Sequence, residues 1–237
     1  MELKLIQRGA ESKVYISTLF GRKIIIKRRE EKKYREKKLD KNLRKARTVE
    51  EARVLIKANK NNIPVPLVYY IDQHKKFDLW MEYIHGELLR DVEIKNKKMK
   101  NKKPGDFEHN FEHYNLYKKI GECLAKLHNT DIIHGDFTLA NIMINNKMID
   151  SKGNNKNNKL WIIDFGLSSF SNEIEEQAID IILMQKSISS IVKEEKESQK
   201  KMDAFVEGYK NNKNWKAILE RTDSIRKRGR YQIRKNS

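Results

Sequence analysis

The sequence has one cysteine, Cys123, so it can form neither an intrachain disulfide nor a cysteine-rich zinc site. A single thiol is typical of proteins in reducing compartments. No apolar run approaches the ~20 residues that span a bilayer, and the N-terminus, MELKLIQRGAES, is too polar for a signal peptide. We expect a soluble intracellular protein without a membrane partner, located in the cytoplasm with the nucleus as a second compartment.

Acidic residues are few relative to basic ones, because 33 Asp and Glu stand against 51 Lys and Arg, a formal net charge of +18. Such an excess favours polyanionic partners such as nucleic acid but does not specify a fold. The run from Lys27 to Arg47 has 12 basic and four acidic residues, and residues 224–237 have six basic residues and no acid. Charge runs are usually solvated faces, whereas a mobile basic tail can reach RNA phosphates. The tail is therefore the stronger candidate for RNA contact.

The order of apolar patterns predicts an α+β fold with a small strand-rich N-terminal lobe, 1–84, and a helical lobe, 85–223. In the first lobe, two hairpins (13–18 with 22–27, and 67–72 with 77–84) flank one helix, 30–59. Spacing of three and four residues assigns its core face to Leu39, Leu43, Ala46, Val49, Ala52 and Ile56. Helices are predicted in the second lobe at 111–129, 172–197 and 202–222, before the basic tail, 224–237.

Two segments rich in asparagine and lysine, 95–106 and 145–159, have almost no apolar content and no periodicity. We predict exposed insertions there. The second segment separates the apolar runs IMI and LWII, which predicts a hairpin with an enlarged tip.

Three oxygen-bearing side chains follow in a pattern suited to phosphate chemistry. HGDFTLANIMI contains Asp136 and Asn141, and an apolar run ends in Asp164-Phe165-Gly166. Mg²⁺ prefers hard oxygen ligands together with substrate phosphates. Asn141 and Asp164 therefore suit a metal, and Asp136 suits an acceptor for the proton of an attacking hydroxyl or water. The alternative is that Asp136 is a turn residue and Asn141 a helix cap.

These residues resemble the motifs of the protein-kinase superfamily. Its catalytic loop has an Asp, four intervening residues and an Asn, as at 136–141, and its metal-binding Asp-Phe-Gly stands unchanged at 164–166. Its ATP-anchoring lysine closes an apolar strand, where IIIK places Lys27. The alternative for Lys27 is a solvated lysine in a basic run.

The resemblance extends to two further parts of the nucleotide site. The partner of the lysine is a glutamate on the next helix, for which we choose Glu51, with Glu50 as the alternative. The segment WMEYIHGE resembles the connection between the kinase lobes, whose backbone binds adenine through Glu82 and Ile84. The resemblance thus implies ATP and Mg²⁺ as cofactors.

The sequence departs from most protein kinases at three places. The phosphate-covering loop, QRGAESKVY, has only Gly9, so Ser12 or the backbone amides near it are expected to replace the usual glycines. Gly135 stands where an arginine usually precedes the catalytic Asp, which argues against regulation by a phosphorylated loop. No proline follows Pro104, so the Ala-Pro-Glu anchor of a peptide-docking segment is absent.

With these departures the chain resembles the p53-related protein kinase family of the KEOPS (EKC) complex. The resemblance implies Ser/Thr autophosphorylation or ATPase activity and a place in the formation of threonylcarbamoyladenosine (t6A) in tRNA. It implies a threonylcarbamoyl-transferase partner, other KEOPS components, and tRNA bound by the basic tail and the basic N-lobe helix. The matching stretches are RGAES, YREKKLDKNLRKARTVEEAR, HGDFTLANIMI, IIDFGLSS and AIDIILM.

Two other functions stay open. A scaffold that binds tRNA and its partner enzyme, with a vestigial nucleotide site, is favoured by the glycine-poor loop and the missing docking platform. A small-molecule phosphotransferase of the aminoglycoside type also uses a His-Gly-Asp loop, but such enzymes usually need a larger helical lobe.

Overall fold

The computed structural model describes residues 2–9, 11–74, 77–99, 107–145 and 159–235. The chain folds as two compact units, each with its own core. The first unit comprises Met1–His85 and Ile163–Ser168, and the second comprises Gly86–Ile162 and Ser169–Ser237. Within the described ranges, no helix combines the length and the hydropathy needed to cross a membrane.

The first unit contains a five-stranded antiparallel sheet in the order β1-β2-β3-β5-β4. Both predicted hairpins are confirmed. The β2–β3 turn consists of Phe20 and Gly21, both with positive φ, the conformation of a two-residue hairpin loop. The strands are β1 (Lys4–Arg8), β2 (Ser12–Leu19), β3 (Arg22–Arg29), β4 (Val68–Ile71) and β5 (Asp78–Glu82).

Helix α1 (Lys37–Lys60) begins after Glu36, whose carboxylate accepts the amides of Lys38 and Leu39. The predicted core face is wrong: Leu39 is 52% exposed, and of the six predicted residues only Ala52 is buried. The buried face contains acids paired with cations, which an apolar pattern cannot reveal. Its residues are Asp40, Thr48, Glu51, Ala52, Val54, Leu55 and Ala58.

The second unit contains five helices and short strands in its described residues. The helix predicted at 172–197 ends at Ile191, and the helix predicted at 202–222 is interrupted at 210–214. The last helix continues through most of the predicted tail, as far as Lys235. The helices are α2 (Leu89–Met99), α3 (Phe107–Asn129), α4 (Ile174–Ile191), α5 (Glu195–Tyr209) and α6 (Trp215–Lys235).

Strands of the second unit carry the HGDFTLANIMI motif. The β8–β9 hairpin predicted from IMI and LWII is confirmed, with Ile142 opposite Ile162. Of the predicted insertions, 95–99 belong to α2, whereas 100–106 and 146–158 lie outside the described residues. The strands are β6 (Glu87–Leu88), β7 (Ile132–Ile133), β8 (Ile142–Asn145), β9 (Lys159–Ile162) and β10 (Ser169–Phe170).

Helices α3 and α5 cross at two glycines in the second unit. A Cβ on Gly121 would lie 2.0 Å from the Phe205 carbonyl oxygen, and a Cβ on Gly208 would lie 1.9 Å from the Lys118 carbonyl oxygen. Backbone atoms cannot move aside as a flexible side chain can. The two helices therefore approach this closely only because both positions lack a side chain.

We expect Gly208→Ala to lower the free energy of unfolding by about 3 kcal/mol, the cost of overpacking a tight contact. Urea unfolding followed by circular dichroism would measure this. Asp203→Ala, on the exposed side of the same helix, is the control and should change stability by less than about 0.5 kcal/mol. Equal stability of the two variants would show that the crossing tolerates a methyl group.

Candidate active site

Lys27 is the centre of a buried charged cluster in the first unit. It lies on β3 and is 8% exposed. Its Nζ is 2.5 Å from Oε1 of Glu51 on α1 and 2.6 Å from Oδ1 of Asp164. Glu51, and not Glu50, contacts the lysine, since Glu50 faces Arg53 at the surface. Three of the residues predicted to serve a nucleotide therefore meet here.

The cluster keeps the Lys27 ammonium charged. Burial lowers its pKa, but attraction and hydrogen bonds from Glu51 and Asp164 outweigh burial, so the pKa of Lys27 lies above its ordinary value. At neutral pH the lysine is therefore a fixed positive charge, as a ligand for phosphate requires.

Asp164 lies in a constrained turn after β9. Its φ of 60° is in the left-handed region, which costs a non-glycine residue about 1–3 kcal/mol. Its side chain is 50% exposed, and Oδ1 accepts the Gly166 amide at 3.4 Å. A Cβ on Gly166 would lie 3.1 Å from Nζ of Lys27, so glycine permits the close approach of this turn. The strain is consistent with a functional constraint on Asp164.

The second unit holds the predicted Asp136–Asn141 pair. Nδ2 of Asn141 donates to both the carbonyl oxygen (2.8 Å) and Oδ2 (2.9 Å) of Asp136. The Asp136 amide donates to Nδ1 of His134 at 3.3 Å, so this histidine helps to hold the loop. Since the Asn141 amide nitrogen is engaged, its oxygen is the atom that can bind a cation.

Asp180 on α4 fixes this loop, although the sequence patterns assigned it no role. Its carboxylate accepts the backbone amides of His134 (2.8 Å) and Gly135 (2.9 Å). Oδ2 is also 3.2 Å from Nε2 of His128, whose Nδ1 is 2.7 Å from the Tyr209 hydroxyl. The sequence signal that could have revealed Asp180 is its place within the apolar run AIDIILM, because a buried acid needs polar or charged partners.

The loop between β1 and β2 is anchored by a residue that the sequence analysis missed. The Gly9 amide donates to the Ser12 carbonyl at 2.8 Å, which closes the turn. The carboxylate of Glu11 binds Arg35 at 3.1 Å and Arg47 at 2.9 Å. These ion pairs, rather than the Ser12 side chain, connect the loop to α1 and the segment before it.

Glu82 and Ile84 lie at the end of β5 and just after it. The Glu82 amide donates to the Leu67 carbonyl at 2.8 Å, and its carboxylate accepts the Leu67 amide at 3.2 Å. Ile84 is buried, with 6% of its surface exposed. Since the Glu82 amide is used within the unit, only its carbonyl is a candidate for contact with a base.

Comparison with known proteins identifies the family of this chain. The protein kinase domain model matches residues 2–210. The chain is 32% identical to the KEOPS complex subunit Bud32 of Pyrococcus abyssi over 98% of both chains. This chain belongs to the Bud32 family of protein kinases. The resemblance to the KEOPS-associated kinase family that its motifs indicated is thereby confirmed.

A second relative is longer than this chain. The chain is 34% identical, over 95% of its length, to a probable bifunctional tRNA threonylcarbamoyladenosine biosynthesis protein of Methanosphaera stadtmanae. It spans 36% of that relative, so the matching region is one part of a larger protein there. The activity of the whole relative is therefore not carried over from this match.

The solved structures agree on the fold. The Rio2 kinase of Chaetomium thermophilum, in its ADP/Mg²⁺-phosphoaspartate complex, matches 93% of this chain and 72% of its own with a TM-score of 0.61 at 15% identity. The predicted α+β protein-kinase-like fold is therefore confirmed, with the sheet in the first unit and most helices in the second. A Bud32-family fold of this kind supports phosphotransfer in general.

Asp164 and Asn141 each offer the kind of oxygen atom that Mg²⁺ prefers as a ligand. Asp164 offers a half-exposed carboxylate and Asn141 an amide oxygen, both hard ligands. Among the described residues, no group of three or more His, Cys, Asp or Glu side chains could hold a metal by itself.

Proposed function

We propose that this chain is an ATP- and Mg²⁺-dependent Ser/Thr kinase and ATPase that serves a KEOPS complex in the t6A modification of tRNA. The observation that carries the proposal is the buried Lys27, held charged between Glu51 and Asp164. A solvated surface lysine would not be buried against two acids. The names of the relatives support the pathway, because they include a KEOPS subunit and t6A biosynthesis proteins.

In this proposal each motif has one role. Lys27 binds the phosphates of ATP, and Glu51 fixes its position. Asp164 and the amide oxygen of Asn141 hold Mg²⁺, which neutralises charge on the phosphates when bound. Asp136 orients the attacking hydroxyl or water and accepts its proton. Its hydrogen bonds to Asn141 keep its carboxylate in place for that task.

The nucleotide base and the loop complete the proposed site. The carbonyl of Glu82 and the backbone of Ile84 are proposed to bind adenine. The turn of Gly9 and Ser12 is proposed to cover the phosphates, anchored by Glu11 instead of by extra glycines.

The proposed partners are a threonylcarbamoyl-transferase subunit, other KEOPS components and tRNA. Two basic helices support tRNA contact: α1, whose N-terminal part overlaps the run of 12 basic residues, and the C-terminal half of α6. Cations near a helix C-terminus also interact favourably with the helix dipole. The second candidate, a scaffold with a vestigial nucleotide site, is favoured by the glycine-poor loop and by the missing Ala-Pro-Glu docking platform.

Neutralising Arg226, Lys227 and Arg228 to glutamine is expected to weaken tRNA binding about tenfold near physiological salt, since fewer counterions are released. The three positions lie on α6, and glutamine is a good helix former, so the helix should persist. Filter binding at several salt concentrations would measure the affinity and a shallower salt dependence. Basal ATP hydrolysis should be unchanged, and unaltered tRNA binding would contradict the proposed role of α6.

A t6A assay with the reconstituted complex separates the two candidate functions. For a kinase or ATPase, Asp164→Asn should abolish modification as fully as it abolishes ATP hydrolysis. For a scaffold, Asp164→Asn should support modification at the wild-type rate, whereas the α6 triple variant should not.

A further inference from the structure

Arg29 is a second buried cation beside the Lys27 cluster, and no motif assigns it a role. It follows Lys27 by two residues on β3, so both side chains lie on the same face of the strand. Nη2 of Arg29 is 2.6 Å from Oε2 of Glu51, while Lys27 binds Oε1. Arg29 is 5% exposed and Glu51 is 3% exposed. One buried carboxylate is therefore shared by two buried cations.

Arg29 also connects the strand to the helix and faces the Asp-Phe-Gly turn. Its Nη2 donates to the carbonyl of Arg47, one turn before Glu51 on α1, at 3.4 Å. A Cβ on Gly166 would lie 3.9 Å from the same nitrogen. The planar guanidinium suits this position, because its several N–H groups can serve a carboxylate and a carbonyl together.

The charges in the cluster explain what Arg29 contributes. Lys27 and Arg29 carry two positive charges, and Glu51 and Asp164 carry two negative charges, so the cluster is neutral as it stands. If Asp164 bound a metal ion, its charge would no longer be available to the cluster. Without Arg29, Lys27 and Glu51 would then form a neutral pair. With Arg29, one positive charge is left over for the phosphates.

We propose that Arg29 is a positioning residue that holds Oε2 of Glu51, so that Lys27 does not hold this carboxylate alone and the lysine stays available to the phosphates of ATP. This inference rests on the proposed nucleotide site. Arg29 acts through Glu51 and not by touching the reacting atoms. Its loss should therefore weaken nucleotide binding more than it slows the chemical step.

The test compares Arg29→Met with Arg28→Met. Arg28 is the adjacent residue on β3 and forms a two-bond ion pair with Asp78, at 2.7 Å for each bond, outside the Lys27 cluster. Both variants remove an arginine from a buried carboxylate. We expect Arg29→Met to raise the Kd for Mg-ATP about tenfold, about 1.4 kcal/mol, and Arg28→Met to change it less than twofold. Arg29→Lys should recover most of the affinity, because one ammonium can still reach Oε2.

Isothermal titration with Mg-ATP gives the Kd, and phosphate release gives KM and kcat separately. KM should follow the Kd, while kcat falls less than threefold. An Arg29→Met affinity equal to that of Arg28→Met would overturn the proposal. If the wild-type chain bound no Mg-ATP, the proposed function itself would fail, which is a different result.

A second measurement needs no nucleotide. Urea unfolding of Arg29→Met, Lys27→Met and the double variant should give non-additive effects, because both cations bind the same Glu51 carboxylate. We expect the combined effect on the unfolding equilibrium constant to differ from the product of the single effects by at least threefold. Multiplicative effects would show that the two cations are not coupled, and would overturn the inference whatever the chain binds.

Discussion

Asp136→Asn is expected to lower the rate of γ-phosphate release by about a thousandfold, equivalent to about 4 kcal/mol of transition-state stabilisation. Asparagine has nearly the same shape, and its side-chain oxygen can still accept the hydrogen bond that Asn141 donates to Oδ2. The loop geometry should therefore survive. What is lost is the negative charge that is proposed to accept the proton of the nucleophile.

Single-turnover release of labelled phosphate at saturating Mg-ATP would measure this loss directly. Asp91→Asn, at an exposed position on α2 in the same unit, is a suitable control and should retain the full rate. The Kd for ATP should change less than about threefold, because Asp136 is not proposed to bind the nucleotide. A variant that keeps more than a third of the wild-type rate would exclude Asp136 as the proton acceptor.

Asp164→Asn is expected to lower the same rate by a comparable factor of about a thousand, through loss of the charge of the proposed Mg²⁺ ligand. Asparagine tolerates the left-handed φ of 60°, so the turn should not be strained further. Lys27 retains Glu51, and the Asp164 side chain is half exposed, so the midpoint of thermal unfolding should change little.

A magnesium titration distinguishes this effect from that of Asp136→Asn. The Mg²⁺ concentration for half-maximal rate should rise at least tenfold in Asp164→Asn, and should stay the same in Asp136→Asn. Asp223→Asn, exposed on α6, serves as the matched surface substitution. If Asp164→Asn released phosphate at an undiminished rate, Asp164 would not be a metal ligand.

The parts of the fold that the sequence predicted are those determined by neighbouring residues. The β2–β3 hairpin depends on the turn at Phe20 and Gly21, and the β8–β9 hairpin on two short apolar runs. The Asp136–Asn141 contact spans five residues, so one local motif contains both partners. Such features need no knowledge of the distant chain.

The parts that were missed depend on partners far away in sequence. Asp180 is 46 residues from His134, and Arg29 is 22 residues from Glu51, so neither spacing is a local pattern. The prediction of the α1 core face was wrong for a related reason, because buried acids such as Glu51 are stabilised by cations on β3. The basic end was predicted as a tail from its charge, although its residues continue α6 to Lys235.

Asp180 bears on how activity could be controlled. The backbone of the catalytic loop at His134 and Gly135 is held by a carboxylate that is fully buried on a neighbouring helix. In this chain no arginine precedes Asp136 to read a phosphate group. Reshaping this loop would therefore require breaking buried hydrogen bonds, so we expect activity to be controlled by nucleotide supply or by a docked partner rather than by a phosphate group read at position 135.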